Sequence, residues 1–383
     1  FYYISFLTGG FIVARIRKEK ANSVQQWIRN YFGRVGSWTY NSLIVMRLLS
    51  EVFANLIVIG LIFSAAFPDF KMSGQISIII LGIVGLLYSL KGGLQVSLRT
   101  DVFQMAVFLV IFSIAFIYMI FGSDFSFNSI LQSTGVHEQA ARPGYVLIYV
   151  ALLQVFSYPA HDPVMMDRGF IANQNKTNYS FILAFLLSTF CIFGFGMFGI
   201  QAGLIGYAYE NQLLGTWQNM FGPGVYFLLI CSLLVSAMST LDSALASSAR
   251  LVIDEFYIFK RSIKNGRIAM STFMAFGLLF TLFPSQSLFD AVAVTGTASM
   301  FLTPVMIVTF LGGKIPIWAY TITWFFSMIG AFAYIFRDIE TITYLLPGLH
   351  KYDQLLSICL YIIVFGFCIC FIGALSNRFL AKT

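Results

Sequence analysis

Five hydroxyls share one face of a single apolar run. In Ser236-Ala-Met-Ser-Thr-Leu-Asp-Ser-Ala-Leu-Ala-Ser247, helical spacing puts Ser236, Ser239, Thr240, Ser243 and Ser247 within roughly a 100° arc. Asp242 flanks them, about 60° from Ser239. One or two hydroxyls in a membrane helix bond the carbonyls behind them or admit close packing. Five with a carboxylate beside them are costly at membrane depth unless something uses them. Hydroxyl, carbonyl and carboxylate oxygens are hard donors, so the chemistry to expect is a sodium site.

Other polar residues stand in equally apolar surroundings. Asp101 follows Lys91-Gly-Gly-Leu-Gln-Val-Ser-Leu-Arg-Thr, where Gly92-Gly93 breaks one run and Arg99-Thr-Asp101 opens the next. A helix-capping role for Asp101 is the plain alternative to a functional one. Arg47, Glu51 and Asn55 recur every four residues and make a slowly drifting polar stripe. Such groups face a cavity or pair with each other, and a structural Arg47–Glu51 pair fits the pattern as well as a solute contact does. Gln154, Ser157, Tyr158, Pro159, His161 and Asp162 cluster where Tyr158-Pro159 must interrupt a helix. Interrupted helices line transport cavities, though a helix end with Pro reads the same way. Thr295-Gly-Thr297-Ala-Ser299 with Pro304 is a small, polar cluster suited to close helix packing.

The elements that must position these residues are membrane helices. Of 383 residues, 58% are hydrophobic and 10% charged, against about 25% charged in a soluble chain. Apolar runs of about 20 residues recur throughout, and no alternating pattern of barrel strands appears. The expected spans are 1–16, 40–66, 74–92, 99–121, 144–160, 177–206, 222–254, 268–286, 288–312, 315–336 and 355–376, eleven in all. The run 222–254 is longer than a span needs and is expected to tilt or to project into the cytoplasm.

Alternate loops hold seventeen Lys and Arg residues against four in the other set. That bias places the first set and Thr383 in the cytoplasm. The +7 net charge is then a property of cytoplasmic loops, with no nucleic-acid partner implied. Asn22–Gly36 reads as a short cytoplasmic helix with Trp27, Ile28 and Phe32 at the membrane interface. His137, Glu138 and Arg142 fall in the longest outer loop. The five cysteines lie in apolar runs with no disulfide or zinc spacing. The three histidines are scattered, and the common catalytic motifs are absent, so an enzyme is not expected. A chain that opens on Phe1 within an apolar run is expected to have residues upstream.

Two segments together carry a resemblance. Tyr88-Ser-Leu-Lys-Gly-Gly-Leu-Gln-Val-Ser-Leu-Arg-Thr-Asp-Val-Phe-Gln104 resembles the sodium:solute symporter family's Tyr-x-x-x-Gly-Gly-Leu, spacer, Thr-Asp-x-x-Gln. Ser239-Thr-Leu-Asp-Ser-Ala-Leu245, ending in Asp254-Glu-Phe-Tyr257, resembles its Ser-Thr-Leu-Asp-Ser helix. Trp27-Ile-Arg-Asn-Tyr-Phe-Gly33 is similar to its cytoplasmic helix, and Thr295 to Pro304 to a late Gly/Pro helix. The order agrees over essentially the whole chain. Sodium/glucose, proline and sialic-acid symporters belong to that family.

The resemblance implies an all-α fold of the leucine-transporter type with inverted repeats. Residues 1–121 would form a first repeat lacking its first helix, 144–312 a second, and 315–383 peripheral helices. It implies sodium at Ser236, Ser239 and Thr240, and a second cation at Asp101, Asp242 and Ser243. The pocket for a small polar solute draws on Arg47, Glu51, Asn55, Gln154, Ser157, Tyr158, Thr295 and Thr297. Met166-Asp167-Arg168 departs from the family's Gln-Arg pair, and Arg47 and Glu51 lie outside its pattern, so substrate identity does not carry over. The expected protein is a monomer or loose homodimer in a bacterial inner membrane, coupling solute uptake to sodium. A proton-coupled carrier, or a sensor or channel on the same fold, is the alternative.

Overall fold

The structure is a computed structural model that describes residues 2–133, 142–205, 213–256, 260–282, 288–348 and 350–380. His137, Glu138, Tyr257 and Lys382 lie outside the described residues. Among these residues the chain is helical, with no strand. Eight helices are long and apolar enough to cross a membrane. The three remaining expected spans fall in shorter helices, at Ser5–Lys18, Arg142–Gln154 and Ile263–Phe280.

The elements that matter for the site are α1 (Ser5–Lys18), α2 (Val24–Ala66), α3 (Ser73–Lys91) and α4 (Thr100–Ile120). After them come α5 (Arg142–Gln154), α6 (Ser157–Ala160), α7 (Pro163–Gly169), α8 (Gln174–Leu204) and α9 (Leu213–Arg250). The bundle is completed by α10 (Ile263–Phe280), α11 (Leu288–Ala298), α12 (Leu302–Phe310), α13 (Ile317–Ile335) and α14 (Lys351–Leu380).

The expected break at Gly92-Gly93 takes an unexpected form. Residues 73–120 are one continuous run of helical residues, yet α3 and α4 run antiparallel. The Tyr88 and Thr100 hydroxyls meet at 3.0 Å, whereas twelve residues of straight helix would hold them about 18 Å apart. Gly85 and Asp101 also reach the same stretch of α9, at Leu241 and Ser239.

Basic side chains gather at one end of the bundle and tie it together. Arg15 bonds the Phe310 carbonyl, Arg17 the Gly169 and Ala172 carbonyls, and Arg267 the Leu90 carbonyl. Arg29 pairs with Glu255, and Arg250 with Asp167.

The helix at Asn22–Gly36 corrects the sequence reading. Gly33, at φ 60° and ψ −145°, separates it from the long span, as only glycine does readily. Trp27, Ile28 and Phe32 do not face the membrane interface; they are 0%, 0% and 1% exposed. Trp27 packs on Phe310, and Phe32 stacks on Tyr320 at 4.2 Å between centroids. The helix folds under the ends of α12 and α13, so its apolar face meets protein before it meets lipid. Tyr31, Val35 and Trp38 are the exposed large hydrophobic residues of this region.

Helix α9 is the axis of the site. Gly222, at φ 69° and ψ 170°, breaks the run one residue before Pro223, close to where the expected span begins. Beyond the break the helix continues to Arg250 and a π-turn at Leu251–Glu255. Residues 241–249 are buried without interruption. Their Ala and Ser side chains are small enough to allow contact on every side. Gly277 serves the same end where α10 crosses α2, since a methyl there would collide with Val52.

Candidate functional site

The hydroxyl face of α9 opens onto a cavity of about 140 Å³ shared with α4 and α7. Ser236, Ser239, Thr240 and Ser243 line it together with Asp101, Gln104 and Arg168. One Asp101 oxygen accepts a short hydrogen bond from the Ser239 hydroxyl. The other accepts from Ser243 at 3.3 Å and from Arg168 at 2.5 Å. The same Arg168 nitrogen donates to the Ser243 hydroxyl at 2.7 Å. Thr240 donates to the Ser236 carbonyl at 3.0 Å, which leaves its own oxygen lone pairs available. Gln104 Oε1 is buried and has no hydrogen-bond partner.

Every one of these oxygens is a hard donor, and an orphaned carbonyl oxygen among them suits a sodium ion. The residues therefore fit the ion. The arrangement also differs from two separate cation sites: Asp101 and Ser243 share one cavity with Ser236, Ser239 and Thr240. Asp101 already holds a cation, the guanidinium of Arg168. Asp242 does not line this cavity; it is 4% exposed, turned off the hydroxyl face by its helical phase.

A second cavity, of about 490 Å³, lies between α1, α2, the α6–α7 break and α8. Arg47, Glu51, Tyr158 and Asp162 line it, with Tyr2 from the short 3-10 turn Tyr2–Ile4. Arg47 donates to Asp162 and to the Tyr158 hydroxyl, each at 3.1 Å. Its distance to Glu51 is 3.7 Å. Asp162 is held in place because it also caps α7, accepting from the Met165 amide at 2.9 Å. Pro163 at the first helical position and Pro159 four residues earlier make the break that aims these groups inward. Glu51 Oε2, Arg47 Nε and the Tyr2 hydroxyl are buried without hydrogen-bond partners.

Five expected solute contacts lie elsewhere. Asn55 donates back to the Glu51 carbonyl at 2.8 Å and does not line the cavity. Gln154, Ser157, Thr295 and Thr297 are buried where α5 and α6 meet α11, α13 and α14. Gln154 approaches the Cys359 sulfur and packs on Gly296; Ser157 meets Ser299 at 3.4 Å. Ser327 donates to the Thr297 carbonyl. These contacts join helices closely, as small polar residues do in membranes.

The cavity residues Tyr2, Gln104, Asp162 and Arg168 were not among the expected site residues. Gln104 carried a signal, as the last residue of the Thr-Asp-x-x-Gln pattern. Asp162 stands before Pro163, a helix-start signature that reads as a cap and hides its second role. Arg168 matters most, because it and Val164 line both cavities. Arg168 and Val164 thus form the wall between the oxygen-lined space and the Arg47–Glu51 space.

No protein-family model matches this chain, and no curated protein matches it either. Among solved structures, it is similar to a sodium-coupled sialic acid symporter described in a substrate-bound, outward-open state. The TM-score is 0.71, over 96% of this chain and 82% of that one, at 17% sequence identity. At that identity the likeness is one of architecture. The chain has the all-helical, leucine-transporter type of fold found in a sodium-coupled symporter.

Proposed function

We propose that this protein is a secondary transporter that moves a small polar organic solute together with sodium by alternating access. One observation carries the reading: an oxygen-lined cavity and a larger, charge-lined cavity share Arg168 as their wall. Sodium occupies the face formed by Ser236, Ser239 and Thr240, with Gln104 as a further oxygen donor. Solute occupies the space beside Arg47, Glu51 and Tyr158. An ion near Asp101 competes with Arg168 for the carboxylate, and a shifted Arg168 reshapes the solute cavity. Coupling of this kind is differential affinity between two states, with no chemical step.

In this reading residues 1–121 and 144–312 are the two inverted repeats, and 315–383 are peripheral. The basic end of the bundle faces the cytoplasm. One charge crossing 100 mV contributes about 2.3 kcal/mol. A tenfold sodium gradient adds about 1.4 kcal/mol. The sum supports roughly 500-fold accumulation of a neutral solute per sodium.

The deciding experiment is uptake by the full-length protein in proteoliposomes, with sodium, potassium or proton gradients applied in turn. Uptake indifferent to sodium would sink the proposal, and uptake driven by protons instead would assign the coupling to Asp101 or Glu51. Ser239→Ala and Thr240→Ala are expected to raise the sodium concentration for half-maximal uptake roughly five- to tenfold, the loss of about one oxygen contact each. Unchanged sodium dependence in both variants would make the hydroxyl face structural.

A further inference from the structure

We propose that the solute carries a protonated primary or secondary amine, seated against Glu51 in the cavity of about 490 Å³. The proposal rests on the transport reading for its biological setting, while the binding chemistry stands on the cavity alone.

Charge is the first reason. Arg47, 6% exposed, lies between two carboxylates, Asp162 at 3.1 Å and Glu51 at 3.7 Å. Arg168, the other guanidinium on the cavity wall, is matched by Asp101. Arg17 spends its guanidinium on the Gly169 and Ala172 carbonyls and does not line the cavity. With both carboxylates ionised, one guanidinium leaves one negative charge uncompensated in a low-dielectric space, which is costly unless Glu51 takes up a proton or a cation. A cationic guest cancels it.

Hydrogen bonding is the second reason. Glu51 Oε2 accepts no hydrogen bond, although the side chain is only 11% exposed. An ammonium supplies both the missing donor and the missing charge. A solute hydroxyl supplies the donor alone, and a solute carboxylate supplies neither. Arg47 is a poor anchor for a carboxylate because Asp162, Glu51 and the Tyr158 hydroxyl already engage it.

The aromatic lining agrees. The Tyr2 and Tyr158 rings lie 4.5 Å apart, tilted by 59°, and Arg47 already sits over Tyr158 at 5.4 Å. Tyrosine faces attract cations. The Tyr2 hydroxyl, buried and unpartnered, remains for the rest of the solute.

The test uses full-length protein in nanodiscs with matched pairs of probes: L-alanine against L-lactate, putrescine against 1,4-butanediol, and D-glucosamine against D-glucose. Binding is read by calorimetry and thermal shift, in sodium and in potassium. The amine is expected to bind in at least one pair while its partner does not. Glu51→Gln is expected to weaken that binding roughly 30-fold, the usual scale for losing one partner of a buried charge contact. Glu51→Asp, which keeps the charge, retains measurable binding and covers the case in which Glu51→Gln does not elute as a monodisperse protein. Equal binding within the pairs, preference for the hydroxyl or carboxylate partner, no binding in any pair, or unchanged affinity in Glu51→Gln each overturns the proposal. Amine binding that is the same in sodium and potassium leaves it standing and counts instead against sodium coupling.

Discussion

Arg168 is the residue on which the two cavities turn. Its guanidinium sits where the family resemblance implies a second cation, bonded to Asp101 and Ser243. In the proposed reading a single sodium then suffices, and sodium activation of uptake is expected to be hyperbolic, with a Hill coefficient of about 1. Arg168→Gln leaves Asp101 without its cation, and an uncompensated carboxylate recruits one. The Hill coefficient is expected to rise toward about 2. The pair is only partly desolvated, with side chains 37% and 15% exposed, so its stability contribution is modest. A double-mutant cycle of Arg168→Gln and Asp101→Asn, followed by melting temperature, is expected to give a coupling of about 1 kcal/mol, with the double variant more stable than the two losses added. Additive losses together with an unchanged Hill slope would show that the pair is incidental. The hydroxyl face was legible in the sequence because helical phase alone brings Ser236, Ser239 and Thr240 together. Arg168 was not, since its partner Asp101 lies 67 residues away and only the packing of α4, α7 and α9 makes them neighbours.

At the scale of elements, two glycines divide long helical runs where the fold needs the chain to change direction. Gly33 and Gly222 have φ of 60° and 69°, with ψ values that other residues avoid. Nothing lies within 4 Å of where a Cβ would stand at either position, so any cost of substitution is backbone strain alone. Gly33→Ala and Gly222→Ala are each expected to destabilise the protein by about 1–3 kcal/mol. Gly199→Ala is the control: it lies in the interior of α8, with equally open space. It is expected to be neutral or stabilising by roughly 0.5–1 kcal/mol. Thermal unfolding in detergent checks all three, and equal effects would refute the strain argument. Helix positions were readable from composition because a bilayer span demands a run of apolar residues. What the chain buries inside the bundle was less readable. Trp27 and Phe32 have the aromatic character of an interface helix, and the same character fills the space beneath α12 and α13. Gln154 and Thr297 fit a polar cavity by residue type, yet they join helices, because a small polar side chain serves either end.

For the whole molecule, the two cavities make a joint statement about charge movement. In the proposed reading ion and solute occupy the two adjoining cavities with their common wall, so both would cross together and the membrane field would act on their summed charge. Each unit charge moved makes accumulation rise tenfold for every 59 mV or so of added inside-negative potential. With one sodium, a zwitterionic amine such as L-alanine carries one net charge per cycle. A cationic amine of single charge carries two, and its accumulation rises about a hundredfold over the same interval. Proteoliposomes with a potassium-diffusion potential set by valinomycin give these slopes directly from steady-state uptake at several voltages. The amine identified by the binding pairs fixes which slope is expected before the measurement is made. A slope of one charge less than expected means that no sodium crosses with the solute or that another cation returns on the empty carrier, because tethered charges such as Arg168 and Asp101 end each cycle where they began. A slope of one charge more means a second sodium, which Arg168 has then vacated its place to admit. Arg168→Gln is expected to raise the slope by about one unit, because the unpaired Asp101 recruits a second sodium that crosses with the solute, and an unchanged slope in a variant that still transports would show that no second ion is carried.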